Sequence, residues 1–186
     1  FGSSGEDVWK AMDDGHINLD LVNAACNKIK GRKQGNMRDL VEDPNAIIVE
    51  YNDGTKGAIV MLTGYVNQGW AYAANTANGQ VATEFVLDHS MSYSHFSYLS
   101  LNIQKFIVTG KPTAPVERTL LTSGISDMGI RSLVDGERKQ TPFLTINYSA
   151  AGFAPIRPTA PRPEGQSVGP WPPEGYEFII PERFKK

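Results

Sequence analysis

The chain has 186 residues, 40% hydrophobic and 20% charged, with a formal net charge of -2. That is enough to bury one good core, and the charge is too evenly scattered to suggest nucleic acid or an anionic membrane as a partner. No apolar run approaches the roughly 20 residues needed to cross a bilayer. Cys26 is the only cysteine, which excludes an intrachain disulfide and a thiolate metal cluster and fits a reducing, cytoplasmic setting.

The first residue is Phe1, and residues 1–5 have neither the basic start nor the apolar core of a signal peptide. A processed, truncated or excised piece of a longer protein is the expectation. Residues 7–12 and 19–29 read as a short helix and a longer one. In the second, Leu19, Val22, Cys26 and Ile29 recur at helical spacing, with Asn18 as cap and Gly31 as stop. The polar stretch 32–43 reads as a loop ending at Pro44.

From there the period changes to two. Residues 47–51 and 56–66 flank Asn52-Asp53-Gly54-Thr55, and Asp-Gly supplies the positive backbone angles of a tight turn between twisted strands. Residues 70–76 and 81–87, around Asn78-Gly79, form a second hairpin by the same logic, giving an antiparallel meander. In the strand 56–66, Ala58, Val60 and Leu62 lie on one face and Ile59, Met61 and Tyr65 on the other. Both faces of the sheet therefore need cover.

A helix opens at Ser94 with Phe96, Leu99, Ile103 and Phe106 on one face, and Gly110-Lys111-Pro112 stops it. Pro115 starts the next, which carries Leu121, Ile125, Met128 and Ser132 on one stripe and ends near Gly136. Such helices cover one face of an antiparallel sheet. The other face is left to the C-terminal arm, a further domain or a partner subunit. Residues 143–148 read as a last strand. Eight of the twelve prolines follow Gly152, so 152–186 reads as an extended arm on a sheet domain spanning 1–151. The fold class is α+β, a two-layer arrangement with an open, mainly antiparallel sheet and helices on one face.

Nucleotide cradles are absent from the sequence: there is no G-x-G-x-x-G after a strand and no G-x-x-x-x-G-K-[ST]. His16 with Asp13 and Asp14 imitates a metal-ligand set, but no second histidine has ligand spacing, and a solvated turn with helix-end charges is the plainer and favoured explanation. The loop from Asp88 to His95 joins a strand end to a helix start and is rich in hydroxyls. His89, Tyr93 and His95 are candidate substrate-binding residues there, against the plainer reading in which Ser94 caps the helix and His95 fills its first turn. Trp70 and Tyr72 alternate onto one strand face, where their rings suit either a sugar or an interface. Asp127, Arg131, Glu117 and Arg118 read as a solvated helix face. No catalytic, cofactor-binding or metal-ligating residue is assigned.

Val49-Glu50-Tyr51-Asn52-Asp53-Gly54-Thr55-Lys56-Gly57, then Ile107-Val108-Thr109-Gly110-Lys111-Pro112, Val116-Glu117-Arg118-Thr119-Leu120-Leu121-Thr122-Ser123-Gly124 and Thr141-Pro142-Phe143-Leu144 together resemble the C-terminal part of oxidoreductase-like proteins of the Gfo/Idh/MocA family. Val8-Trp9-Lys10-Ala11-Met12 followed by Gly15 adds to the likeness. The resemblance extends to about Tyr148. It implies a two-domain parent: a Rossmann half for NAD or NADP, absent from this chain, and a C-terminal sheet domain that shapes a sugar or polyol pocket and the homo-oligomer interface. The family's E-K-P lysine has no counterpart here, because Lys111 belongs to a helix-ending G-K-P. By itself the chain is expected to bind no dinucleotide and to transfer no hydride. The alternative is a non-enzymatic binding or scaffold module that retains only the sheet domain.

Overall fold

The computed structural model describes residues 5–67, 69–85 and 94–149, apart from the side chains at 5, 94, 95, 97 and 98. The expected arm 152–186 and most of the loop 88–95 lie outside the described residues. The chain divides into two units, one of residues 1–86 and 123–145, the other of 87–122 and 146–186.

The first unit is α+β. It opens with α1 (Gly5–Asp13), α2 (Leu19–Cys26) and α3 (Met37–Leu40). The cap expected for α2 is in place: Leu21 N–H donates to Asn18 Oδ1 at 3.1 Å, satisfying one of the amides that a helix start leaves without a partner. The loop expected over 32–43 contains α3, a single turn whose Arg38 N–H donates to Asn36 Oδ1 at 3.0 Å. An Asn cap suffices for so short a helix, and four residues are too few to show a helical period.

Strands β1 (Asn45–Glu50) and β2 (Lys56–Met61) pair antiparallel, with Ile47 opposite Ile59 and Glu50 opposite Lys56. Gly54, at φ 85°, makes the turn that the sequence predicts. Strands β3 (Trp70–Thr76) and β4 (Gly79–Phe85) pair antiparallel around Asn78-Gly79, with Gly79 at φ 105°. The four expected strands are therefore present, but they form two two-stranded sheets instead of one continuous meander.

The break falls where β2 was expected to continue. Leu62 leaves the strand, Tyr65 and Val66 N–H both donate back to the Leu62 carbonyl at 3.1 and 3.0 Å, and Gly64 adopts φ 103°. Tyr65 consequently joins no open sheet row. It is buried with Cys26, Met37, Val41 and Leu62.

A second buried cluster joins Val8, Ala11, Met12 and Ile17 to Ala46 of β1. Trp9, Val22 and Val60 pack against both clusters, so the core lies between the N-terminal helices and the β1–β2 hairpin. Helix α2 also packs on β3 and β4. The cover on this side of the sheets comes from α1–α3, which precede the strands in sequence; of the two later helices expected to cover one face, α5 meets β1 on its other side.

Helix α5 (Val116–Asp135) runs from the second unit into the first, and its expected stripe Leu121, Ile125, Met128 and Ser132 is half-buried. Within the first unit, Gly129 is buried on the opposite face of β1: a Cβ there would stand 2.8 Å from Ile47. Gly124 makes the same kind of close approach, 2.5 Å, to Leu144. Leu144 lies in a 3₁₀ turn, Pro142–Leu144, which replaces the strand expected over 143–148. Pro142 has its φ fixed near the value a helical turn needs, and the Leu144 and Thr145 amides donate back to the Thr141 and Pro142 carbonyls at 2.9 and 3.3 Å, so they are not offered to a ladder and the β-branched and aromatic composition does not prevail. Beyond α5, Arg138 donates to Glu50 at 2.5 Å and Lys56 lies 3.5 Å from the same carboxylate, which holds the Glu50 carboxyl below its ordinary range, the charge of Arg138 being the main cause.

The described part of the second unit includes α4 (Ser94–Thr109), closed by Gly110 at φ 67° as the sequence predicts. Its apolar stripe is not buried as expected. Phe96, Leu99, Ile103 and Phe106 are about half exposed, whereas Leu101 is buried.

Candidate functional site

The alternation of β3 and β4 sorts their side chains cleanly. Ala71, Ala73, Ala82 and Glu84 form the half-buried row, while Trp70, Tyr72, Val81, Thr83 and Phe85 are exposed. Because side chains directly across an antiparallel pair share a face, the register of Trp70 with Phe85, Tyr72 with Thr83 and Ala74 with Val81 assembles one continuous open surface. Trp70 is 49% exposed, Tyr72 50% and Phe85 54%.

Small alanines let α2 approach one side of this hairpin, and the large rings are left on the other. Three aromatic rings and a valine, each about half exposed on one sheet face, form the kind of apolar patch that marks a binding or interaction surface. On β2, Ile59 and Met61 are also about half exposed.

Of the residues singled out in the sequence, Trp70 and Tyr72 are brought together on this face. His89 and Tyr93 lie outside the described residues. His95 is the second residue of α4, and its side chain lies outside them too. Phe85 and Val81 went unrecognised, although counting back from the Asn78-Gly79 turn places Phe85 opposite Trp70. His16 is exposed. Asp13 is engaged by both terminal nitrogens of Arg38, one of them at 3.1 Å, and that bond holds its carboxyl below the ordinary range. Asp14 accepts from Lys10 at 2.5 Å. Both carboxylates thus have cationic partners, and among the described residues no group of His, Cys, Asp or Glu is arranged to hold a metal ion.

A separate cleft of about 260 Å³ lies among the N-terminal helices, lined by Trp9, Leu19, Asn23, Asn36, Arg38 and Tyr65, with Gly35 and Met37. Both of its aromatic walls carry a guanidinium, Arg38 5.5 Å from the Trp9 ring centre and Arg32 5.5 Å from that of Tyr65. Arg32 also donates to Tyr65 Oη at 2.7 Å. Beneath it, burial pushes the Cys26 thiol upward, opposed by the charge of Arg32. The thiol is therefore a core group and a poor nucleophile.

Among the described residues no helix is long and apolar enough to cross a membrane. Comparison of the chain with protein-family models, with curated proteins and with solved structures found no match.

Proposed function

We propose that this chain is the substrate-binding and oligomerisation half of a Gfo/Idh/MocA-like, NAD(P)-dependent oxidoreductase acting on a sugar or polyol, the dinucleotide-binding half lying outside it. The observation that carries the reading is the open face of β3–β4, where Trp70, Tyr72 and Phe85 are each about half exposed on one surface. Aromatic rings of this kind combine a large apolar face with a polar edge. They suit the C–H faces of a sugar ring, and a patch shared between identical surfaces suits symmetric assembly. The family likeness of the Val49–Gly57, Ile107–Pro112 and Val116–Gly124 stretches directs the choice of substrate class.

The test is a titration of the whole chain with glucose, myo-inositol, NAD and NADP, followed by calorimetry and tryptophan fluorescence. Weak, saturable binding of a sugar or polyol is expected, in the range of roughly 1 mM or about -4 kcal/mol, and Trp70→Ala should abolish it. Neither dinucleotide should bind at micromolar concentration, since the phosphate-cradling turn and helix start that it needs are not encoded. Self-association without any response to sugar or polyol would favour the scaffold reading over the oxidoreductase half.

A further inference from the structure

We propose that the cleft between Trp9 and Tyr65 is a binding site for a small organic anion, with its carboxylate or phosphate against the Tyr65 hydroxyl and the Arg38 and Asn36 side chains and its apolar body along Trp9 and Leu19. The site is distinct from the open face of β3–β4.

The chemistry of the walls sets the sign of the ligand. No carboxylate lines the cleft. Its polar groups are Asn23, Asn36, Arg38 and Tyr65, and Asn36 spends its carbonyl oxygen on the Arg38 amide. Tyr65 Oη accepts from Arg32, so its own hydrogen remains available to donate. Arg38 offers five N–H donors, of which its bonds to Asp13 occupy only two. A cleft whose walls present mainly donors is complementary to an oxyanion.

The surrounding charge points the same way. From Leu21 to Arg38 there is no acidic residue, while Lys28, Lys30, Arg32, Lys33 and Arg38 all fall in that stretch. Arg32 is half-buried, and among the described residues neither it nor Lys33 has an ion-pair partner. Lys33 is held beside the cleft, because its N–H donates to the Tyr65 carbonyl at 2.9 Å. Arg32 does not itself line the cleft, but its guanidinium is bonded to the Tyr65 hydroxyl that does, so an anion accepting from that hydroxyl would stand one group away from an unpaired cation and supply its countercharge. The volume, about 260 Å³, is just below the usual range of small-molecule pockets, so a ligand of one ring or a short chain is the right size.

The experiment is a 15N–1H NMR titration of the full chain at constant ionic strength with benzoate, phenyl phosphate and, as uncharged counterpart, benzyl alcohol. Saturable shifts confined to the amides of Gly35, Asn36, Arg38 and Tyr65 are expected with at least one anion, and which anion binds tighter assigns the head group as carboxylate or phosphate. Benzyl alcohol should leave those amides unmoved. Arg32→Gln should weaken binding about tenfold, and Tyr65→Phe, which keeps the buried ring, should weaken it severalfold. Lys30→Gln, at an exposed lysine of the same basic stretch that lacks the bond Arg32 makes to the cleft wall, should change it less than about twofold, as expected of a screened surface charge. Shifts scattered over the surface lysines, an equal response to benzyl alcohol, or full affinity in both Arg32→Gln and Tyr65→Phe would overturn the proposal.

Discussion

Gly64→Ala is expected to cost the first unit about 3 kcal/mol or more of unfolding free energy, a large part of the 5–15 kcal/mol that holds a typical domain together. Two independent penalties combine. Gly64 sits at φ 103°, outside the region an L side chain adopts, which costs about 1–3 kcal/mol. An added Cβ would also press into the Leu40 carbonyl oxygen, and because the obstacle is backbone, it cannot rotate away. Relief requires moving the α3 turn or the chain leaving β2, both of which anchor the cluster of Met37, Val41, Leu62 and Tyr65. Urea unfolding followed by far-UV circular dichroism measures the loss, and a change below about 1 kcal/mol would show that the Leu62–Val66 turn can re-form without its glycine.

Ile17→Ala should be nearly as damaging, by about 3 kcal/mol. Ile17 is 1% exposed and belongs to the cluster of Val8, Ala11, Met12 and Ala46. Its amide donates to the Ala11 carbonyl at 3.0 Å, so the backbone is pinned and the neighbours cannot close readily on the cavity left by the lost atoms. A buried cavity of this kind carries both the lost transfer energy and the lost packing. The same unfolding measurement serves here, and Ile17→Val, which removes one methylene, should lose only about 1 kcal/mol.

Much of the fold was legible because local signals and tertiary packing agreed. Asn18, Gly54, Gly79, Gly110 and Gly136 mark ends and turns that the chain uses, and the last four have positive φ. Strand β2 failed at its end because Leu62, Tyr65 and Val66 continue an apolar pattern that alternation alone takes for strand. The glycine between them has a backbone angle that ends the strand, which composition does not reveal. The expected last strand failed in a comparable way, its first amides being turned back into the Pro142–Leu144 turn. Gly124 and Gly129 lower the helix propensity of α5, yet each marks a close approach to Leu144 or Ile47, a reason visible only once the partner is in place. The aromatic face was half legible: alternation put Trp70 and Tyr72 together, while Phe85 needed the register. The cleft was not legible at all, since Arg38 meets Asp13 and Arg32 meets Tyr65 across 25 and 33 residues of chain, and no local pattern encodes such pairs.

The claim that the open face of β3–β4 is a surface for binding and assembly is tested most directly by multi-angle light scattering of the whole chain across roughly 1–100 μM, a range that brackets moderate protein affinities. Met61 and Ile59 of β2 are also about half exposed, whereas Tyr65 is buried and would report on folding instead. The account predicts a dimer or larger species for the native chain. Trp70→Lys combined with Tyr72→Lys should return it to a monomer with unchanged circular dichroism, because both side chains lie on the half-exposed side of β3. A native chain that stays monomeric at the highest concentration, or a double variant that assembles as well as the native chain, would contradict it.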